Sequence, residues 1–325
     1  MKKIFLCVLL LMTLASCDGK KKDYKEELIE FDSELDKYNL KAQMMVVKEE
    51  GNVSFDVEVD YLTPDYYKVK LKNNKNNNIQ IIVKNKDGVF VLTPALNKQF
   101  KFNSDWPLNS SHAYLLKSIV KDITNDPEST ITEGDSSYTI TSTTNYKTNA
   151  LLKMQKATFD KKTNHPISNI VCDISGNPLI KVEITKFNPE VNLKASDFKV
   201  DDVNNTARLE MAEGTITTEL VECVPTFMPE GYELKASTIK ENYTVFTYSK
   251  DEISYIITCS VLKESEVLAC TREYNGLDFI DNGLCFVNEN SLSFISNDLM
   301  VSIYQNDINL EEAILIANSF ELNFN

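Results

Sequence analysis

The sequence predicts an α+β protein of two domains, each built mainly on an antiparallel sheet. Short segments of alternating apolar and polar residues recur along the chain, as at 52–61, which is typical of strands with one solvated face. A few segments have helical spacing instead. The 325 residues exceed one ordinary domain, and a polar, weakly patterned stretch at 201–222 separates two patterned regions. We therefore expect domains at 24–200 and 223–325 with a linker between them.

The N-terminus has the features of a bacterial lipoprotein signal. Two lysines precede an apolar run from Ile4 to Ala15, which as a helix reaches ~18 Å and is too short to span a membrane. Residues 14–17 read LASC and resemble a lipobox, which implies cleavage after residue 16 and diacylglycerol and palmitate on Cys17. We expect a signal peptide at 1–16 and a lipid-anchored tether at 17–23, on the outer face of the cell membrane. The alternative is an ordinary signal peptide with a chance cysteine.

The first domain is predicted to begin with an amphipathic helix over 24–38, in which four large apolar residues recur at helical spacing. Alternation then predicts strands at 53–61, 67–71, 79–83, 89–93 and 100–102. A second helix is expected over about 111–123, with Ser110 or Ser111 as its cap. Further strands are expected at 138–144, 151–159, 167–173 and 179–187. This order predicts a strongly curved sheet wrapped over helices.

The second domain is predicted to be a smaller antiparallel sheet that ends in a helix. Its strands are expected at 243–248, 253–262, 267–272, 284–287, 292–295 and 299–304. The final helix covers 310–320, with Asn309 as its cap and Glu312 in the position of a capping-box partner. No internal repeat relates the two domains.

Composition and missing motifs argue against an enzyme. A net charge of −14 disfavours nucleic-acid binding over a wide surface. The sequence has no G-x-S-x-G, H-E-x-x-H, P-loop or G-x-G-x-x-G motif, and His112 and His165 are isolated. The adjacent acids at 49–50, 201–202 and 311–312 are better explained as solvated charges or as partners of a helix dipole. We therefore predict no catalytic residues, no metal and no cofactor.

The cysteines after Cys17 number five, so at least one thiol of the monomer is unpaired. They are Cys172, Cys223, Cys259, Cys270 and Cys285. Cys259 and Cys270 are equidistant from a possible turn at 264–265, and in a two-residue hairpin they would face each other at disulfide distance. The alternative is that both are small buried hydrophobic residues.

Apolar side chains of the first domain are the candidate ligand site. If the curved sheet leaves a cavity under the helices, these residues could bind one acyl chain; otherwise they form a filled core. The candidate ligand-facing residues are Val57, Val59, Val69, Leu71, Ile81, Val83, Phe90, Leu92, Phe100 and Phe102.

The first domain resembles the LolA-like family of bacterial lipoprotein carriers in several ordered stretches. Residues 61–69 read YLTPDYYKV and resemble the family's P-x-x-x-R/K strand. Residues 87–98 read DGVFVLTPALNK and resemble the turn before its Y-x-P element. Residues 159–166 read FDKKTNHP and resemble its D-x-x-T-x-x-P hairpin. Residues 173–178 match the next turn, and Phe198 matches the closing phenylalanine. This resemblance implies an open antiparallel half-barrel covered by helices.

Within this family the anchored pattern is most similar to the GerS group of spore germination lipoproteins. That resemblance implies a non-enzymatic protein that binds a cell-envelope partner, for example a peptidoglycan amidase, in spore-cortex modification. The second domain resembles a small domain of extracytoplasmic proteins, through PTFMPEGY at 225–232 and ANSF at 317–320. Two alternatives remain: an acyl-chain carrier or sensor, and a regulator of an anti-sigma factor, since a LolA-like domain followed by a smaller one is also similar to RseB-type proteins.

Overall fold

Two antiparallel sheets form the framework of the molecule. The computed structural model describes residues 23–48, 51–75, 77–94, 98–102, 106–107, 110–146, 149, 151–211, 223–240, 243–261, 276–280, 283–296, 299–306 and 308–320. Within these ranges, an eleven-stranded sheet with helices is followed by a seven-stranded sheet and a C-terminal helix. The predicted fold class is confirmed.

The first sheet is open, because its order β6-β5-β4-β3-β2-β1-β11-β10-β9-β8-β7 ends in two strands that do not pair with each other. Its strands are β1 Lys37–Val46, β2 Val53–Leu62, β3 Tyr66–Asn73, β4 Ile79–Asn85, β5 Gly88–Thr93, β6 Lys98–Phe102, β7 Thr130–Glu133, β8 Ser137–Thr143, β9 Met154–Asp160, β10 Pro166–Cys172 and β11 Pro178–Asn188. All neighbouring pairs are antiparallel.

Two helices cover one face of this sheet, which we call the inner face. They are α1, Tyr24–Glu34, and α2, Leu116–Asn125. The side chain of Asp23 caps α1 by accepting hydrogen bonds from the backbone N–H groups of Lys25 and Glu26. The buried apolar residues of both helices and of the inner face form one hydrophobic core.

The strand β1 was not expected, because the first helix was predicted to continue to Tyr38. The helix ends at Glu34, and Tyr38 instead begins an alternation with Leu40, Ala42 and Met44, all fully buried on the inner face. Tyr38 fits both patterns: it is the last of four apolar residues at helical spacing and the first of an alternating strand. The spacing alone therefore does not show where the helix ends and the strand begins. The predicted serine cap of α2 is also wrong, because that helix starts at Leu116 and the Ser111 hydroxyl accepts from the Asn145 N–H instead.

The first half of the predicted linker is a helix that belongs to the first domain. A short 3-10 helix, Ala195–Phe198, leads into α3, Val200–Met211. Val203 and Ala207, one turn apart, are buried with Phe198 against the opposite face of the sheet, which we call the outer face. This apolar pair stabilises the helix through tertiary packing. Because the rest of the segment is mostly polar, its sequence pattern did not predict a helix.

The second sheet has the order β12-β13-β14-β18-β17-β16-β15. Its strands are β12 Glu233–Lys240, β13 Tyr243–Lys250, β14 Ile253–Val261, β15 Gly276–Ile280, β16 Gly283–Asn288, β17 Ser291–Ser296 and β18 Leu299–Tyr304, and α4 spans Leu310–Asn318. The cap is confirmed, since Asn309 Oδ1 accepts from the Glu312 N–H at 3.3 Å. The Glu312 carboxylate accepts from the Tyr255 hydroxyl at 2.8 Å. β12 and β15 were not predicted, and the strand expected at 267–272 lies outside the described residues.

Candidate functional site

The ten predicted ligand-facing residues do not share one face of the sheet. Val57, Val59, Val69 and Leu71 lie in the inner core, fully buried. Four others form or border a separate cluster on the outer face with α3: Ile81, Val83, Phe90 and Leu92.

The register explains this division. Val69 lies opposite Ile82, so Ile81 lies opposite Lys70 on the other face. The backbone pairs Phe100 with Val91 and Phe102 with Val89; their side chains lie outside the described structure. A single ligand-facing set of all ten residues is therefore wrong.

The second domain packs against the inner face. In β16, Leu284 and Phe286 belong to the core of the first domain, whereas the alternating residues Cys285 and Val287 belong to the core of the second. Ile295 of β17 also belongs to the inner-face core. Because alternate residues of a strand point to opposite faces, the second sheet carries its own core on one side and faces the first domain with the other. The described inner-face residues are thus buried in a core that both domains share.

A buried hydrogen bond fixes this packing. The backbone N–H of Leu284 donates to Gln80 Oε1 at 2.8 Å. The preceding Gly283 has a φ of +127°, and a Cβ placed there would lie 2.5 Å from the same oxygen. Only glycine therefore allows β16 to approach Gln80 this closely.

The outer face carries an ordered array of charges, which we call the charge ladder. On β2 and β3, Asp56, Glu58 and Asp60 lie opposite Lys72, Lys70 and Lys68, respectively. The Lys68 Nζ is 2.8 Å from Asp60 Oδ2, and the Lys41 Nζ of β1 is 3.1 Å from Glu58 Oε1. Asn39 donates to both Asp60 and Glu58, at 2.7 and 3.2 Å. The acidic column is thus flanked by three lysines of β3 on one side and by Asn39 and Lys41 of β1 on the other.

A cleft of about 470 Å³, which we call the outer cleft, separates the ladder from α3. It is lined by Glu58, Asp60, Lys68, Lys70, Ile81, Lys194, Ser196, Asp197, Asp202, Val203, Thr206 and Ala207. A second cavity of about 300 Å³ next to it shares Glu58 and Lys70. Seven of the twelve lining residues are charged, and both signs are present. The outer cleft suits a polar or zwitterionic segment better than an acyl chain.

The charges in the outer cleft stabilise one another. Burial raises the pKa of the Glu58 carboxyl, but hydrogen bonds from Lys41 and Asn39 and the positive charges of Lys41 and Lys70 outweigh it, so the pKa lies below its ordinary value. Glu58 is consequently ionised at neutral pH. Ionised carboxylates and lysines held in a fixed pattern provide specificity for a charged partner.

Both histidines pack against aromatic side chains. His112 is buried beside Trp106 and Tyr114, and burial lowers its pKa to about 3, so it is neutral. His165 packs on Phe187 with ring centroids 4.9 Å apart, and burial lowers its pKa. Within the described residues, no group of three or more His, Cys, Asp or Glu side chains could hold a metal ion.

Two of the adjacent acidic pairs lie at the starts of helices, although no helix was predicted at 201. Asp201 and Asp202 lie in the first turn of α3, and Glu311 and Glu312 lie in the first turn of α4. The pair at 49–50 lies outside the described residues.

The cysteines pair differently from the prediction. Cys259 forms a disulfide with Cys223, and the Cα atoms are 6.4 Å apart. The alternative in which Cys259 bonds to Cys270 is therefore wrong, because the Cys259 sulfur is already bonded to Cys223. Cys270 itself lies outside the described residues. A disulfide is typical of proteins that fold outside the cytoplasm.

The predicted lipid attachment residue, Cys17, lies outside the described residues. Among the helices that the structure describes, none is both long enough and apolar enough to cross a bilayer.

The charge ladder was missed at the level of the sequence, although its signal was present. The alternation in β2 and β3 identified a solvent-exposed face of the sheet, with acidic residues on one strand and lysines on the next. Only the register aligns the two columns.

Comparisons with known proteins agree on a family. The sequence profile of a family described as "Sporulation protein YdcC-like" matches residues 1–198. The curated "Sporulation protein YdcC" of Bacillus subtilis (strain 168) is 30% identical over 338 residues, covering 99% of this chain and 98% of the relative.

Among solved structures, the crystal structure of MucB matches with a TM-score of 0.35 and 11% identity, over 91% of this chain and 96% of that one. A chain in the structure of the CwlD amidase from Clostridioides difficile in complex with the GerS lipoprotein matches with a TM-score of 0.32 and 16% identity, over 55% and 100%. A LolA superfamily protein from Nitrosomonas europaea matches with a TM-score of 0.31 and 10% identity, over 56% and 100%.

Proposed function

Because the chain belongs to the family of YdcC-like sporulation proteins, we propose that it is a non-enzymatic envelope protein that binds a protein partner during sporulation or germination. In this proposal, lipid on Cys17 holds it to the outer face of the cell membrane. A peptidoglycan amidase of the spore cortex, the partner that the GerS resemblance implies, is the first candidate. No cofactor takes part.

The observation that carries the proposal is the contrast between the two faces of the first sheet. On the inner face, the apolar residues that could have held an acyl chain are buried in a core shared with the second domain. On the outer face, the outer cleft presents fixed charges of both signs beside the exposed side of α3. Such a surface supports recognition of a protein segment that carries both acidic and basic side chains.

An acyl-chain carrier or sensor is the second candidate function. The observation that favours it is the purely apolar character of the four inner-face candidates, Val57, Val59, Val69 and Leu71. In this case the second domain would have to leave the inner face before a lipid could enter. A regulator of an anti-sigma factor would instead be a form of the first proposal, in which the partner is a membrane regulator.

The test is native mass spectrometry of the tagged full chain, extracted gently from sporulating cells. We expect a stoichiometric complex with one envelope protein. A monomer that carries extra mass in the lipid range, beyond the anchor, would replace this proposal with the carrier. A bare monomer under conditions that preserve other envelope complexes would contradict both.

Two variants of α3 test whether the partner binds in the outer cleft. Thr206 lines the cleft and Asn205 does not, yet both are exposed on the same helix. Thr206→Arg fills the cleft and should abolish the complex, whereas Asn205→Arg adds the same charge outside it and should leave the complex intact. Equal recovery of the partner with both variants would show that the partner binds elsewhere.

A further inference from the structure

The edge strand β12 is exposed along its whole length. All residues from Glu233 to Lys240 are exposed, including Leu234, which is 51% exposed, and Ile239, which is 62% exposed. β13 pairs with one side of β12, and in the part of the chain that the structure describes no strand pairs with the other side. A long exposed edge with apolar side chains is a template for pairing with another strand.

A bulge places the two apolar side chains of β12 on the same face. The register with β13 shifts between Leu234 and Ala236, so that Lys235 is the extra residue. As a result, Leu234, Ser237 and Ile239 lie opposite residues of β13 that are all buried: Tyr248, Phe246 and Thr244. Without the bulge, Leu234 and Ile239 would point to opposite faces, because their separation is odd.

We propose that β12 pairs antiparallel with β12 of a second copy of this chain, about a two-fold axis at Ser237. Counting past the bulged Lys235, this register sets Glu233 opposite Lys240 of the second copy. It also sets Leu234 opposite Ile239, and Ala236 opposite Thr238.

Apart from the Ser237 pair on the axis, each pair of this arrangement occurs twice. Opposite charges meet at both ends of the pair, and four exposed apolar side chains gather on one face around the axis. The two members of each pair share a face, as strand pairing requires.

The features that protect the edge from indiscriminate pairing are compatible with this register. Lysines and bulges discourage edge-to-edge association. In this register Lys240 lies opposite Glu233 of the second copy. The bulged Lys235 has no opposite residue in the second copy, and its Nζ is 2.7 Å from the Glu233 carboxylate of its own strand. The pairing is therefore selective for a copy of the same strand. One pair of strands is smaller than a standard interface, so we expect a dimer with a micromolar dissociation constant.

Cross-linking of the full chain in membranes of the expressing cells tests the axis directly. Across an antiparallel pair, two cysteines at Ser237 would have Cα atoms ~4.5–5.5 Å apart, within the range of a disulfide. Ser237→Cys should give a covalent dimer on a non-reducing gel. Lys240→Cys, whose two copies would be ~20 Å apart, should give no more dimer than the unmodified chain. Equal yields from both variants, or a cross-link of Ser237→Cys to a different protein, would overturn the proposal.

Charge reversal tests the register independently. Glu233→Lys places two lysines opposite each other at both ends and should weaken the dimer about tenfold in sedimentation experiments on the detergent-solubilised full chain. Lys240→Glu should do the same, and the combined exchange should restore the dissociation constant of the unmodified chain. Both side chains are exposed, so neither change should affect folding. Failure of the double exchange to restore dimerisation would exclude this register.

Discussion

Replacing Gly283 by alanine should weaken the packing between the two domains. A Cβ at this position would lie 2.5 Å from Gln80 Oε1, which accepts the hydrogen bond of the Leu284 N–H. The oxygen must withdraw, and a buried N–H then loses its partner at a cost of ~1–3 kcal/mol. The positive φ of +127° adds a backbone cost of ~1–3 kcal/mol for a residue with a side chain.

Gly51 offers a matched control for the backbone cost. Its φ is +131°, and a Cβ there would have no heavy atom within 4 Å. The Gly51→Ala variant therefore has the same strain without the clash. The free energy of unfolding should fall ~1–3 kcal/mol further for Gly283→Ala than for Gly51→Ala.

The assay is equilibrium urea unfolding of the full chain, followed by circular dichroism and by the fluorescence of Trp106. This is the single tryptophan of the sequence and is buried in the first domain. Gln80→Ala combined with Gly283→Ala removes the atom that the new methyl group would meet, so this pair should show coupling. Equal destabilisation by Gly283→Ala and Gly51→Ala would refute the reasoning.

Three further predictions concern single groups. Burial raises the pKa of Asp122 to about 6 from its ordinary 3.8, so this carboxyl lowers stability progressively as the pH rises from 4 to 6. Asp122→Asn should therefore be about 3 kcal/mol more stable than the unmodified chain at pH 7.5 and equal to it below pH 4, and a difference independent of pH would contradict this. The disulfide between Cys223 and Cys259 spans 36 residues, so Cys223→Ser should cost about 3–4 kcal/mol, and a reducing agent should destabilise the unmodified chain by a similar amount but not the variant. Cys17→Ser should move the protein from the membrane fraction to the soluble fraction, and continued sedimentation with membranes would argue against a lipid anchor.

The local sequence pattern was sufficient to predict most strands, because the alternation of apolar and polar residues depends only on neighbouring residues. The alternation at 53–61 and 67–71 predicts β2 and β3, and Asn309 predicts the start of α4. Recognition of a sporulation-associated family also came from the sequence and is confirmed by the family match. β1 was missed because Tyr38 fits both a helical and a strand spacing.

The faces of the sheet could not be assigned from alternation alone. Ile81 and Ile82 are equally apolar, and only the register with Val69 and Lys70 sends one to α3 and the other to the inner core. The same register aligns the acidic and basic columns of the charge ladder. A pairing register depends on contacts between distant segments, so the sequence of either strand by itself leaves it open.

By itself, the sequence determined the α+β class, the family and most strands, since these depend on composition, motif and local periodicity. Only the tertiary structure decided that the second domain fills the inner face, that Cys259 pairs with Cys223, and that β12 is left as an exposed edge. The physical reason is that these outcomes depend on contacts between segments that are far apart in the chain. Burial of Leu284 and Phe286 against the first domain is a property of both domains together, which no local pattern encodes.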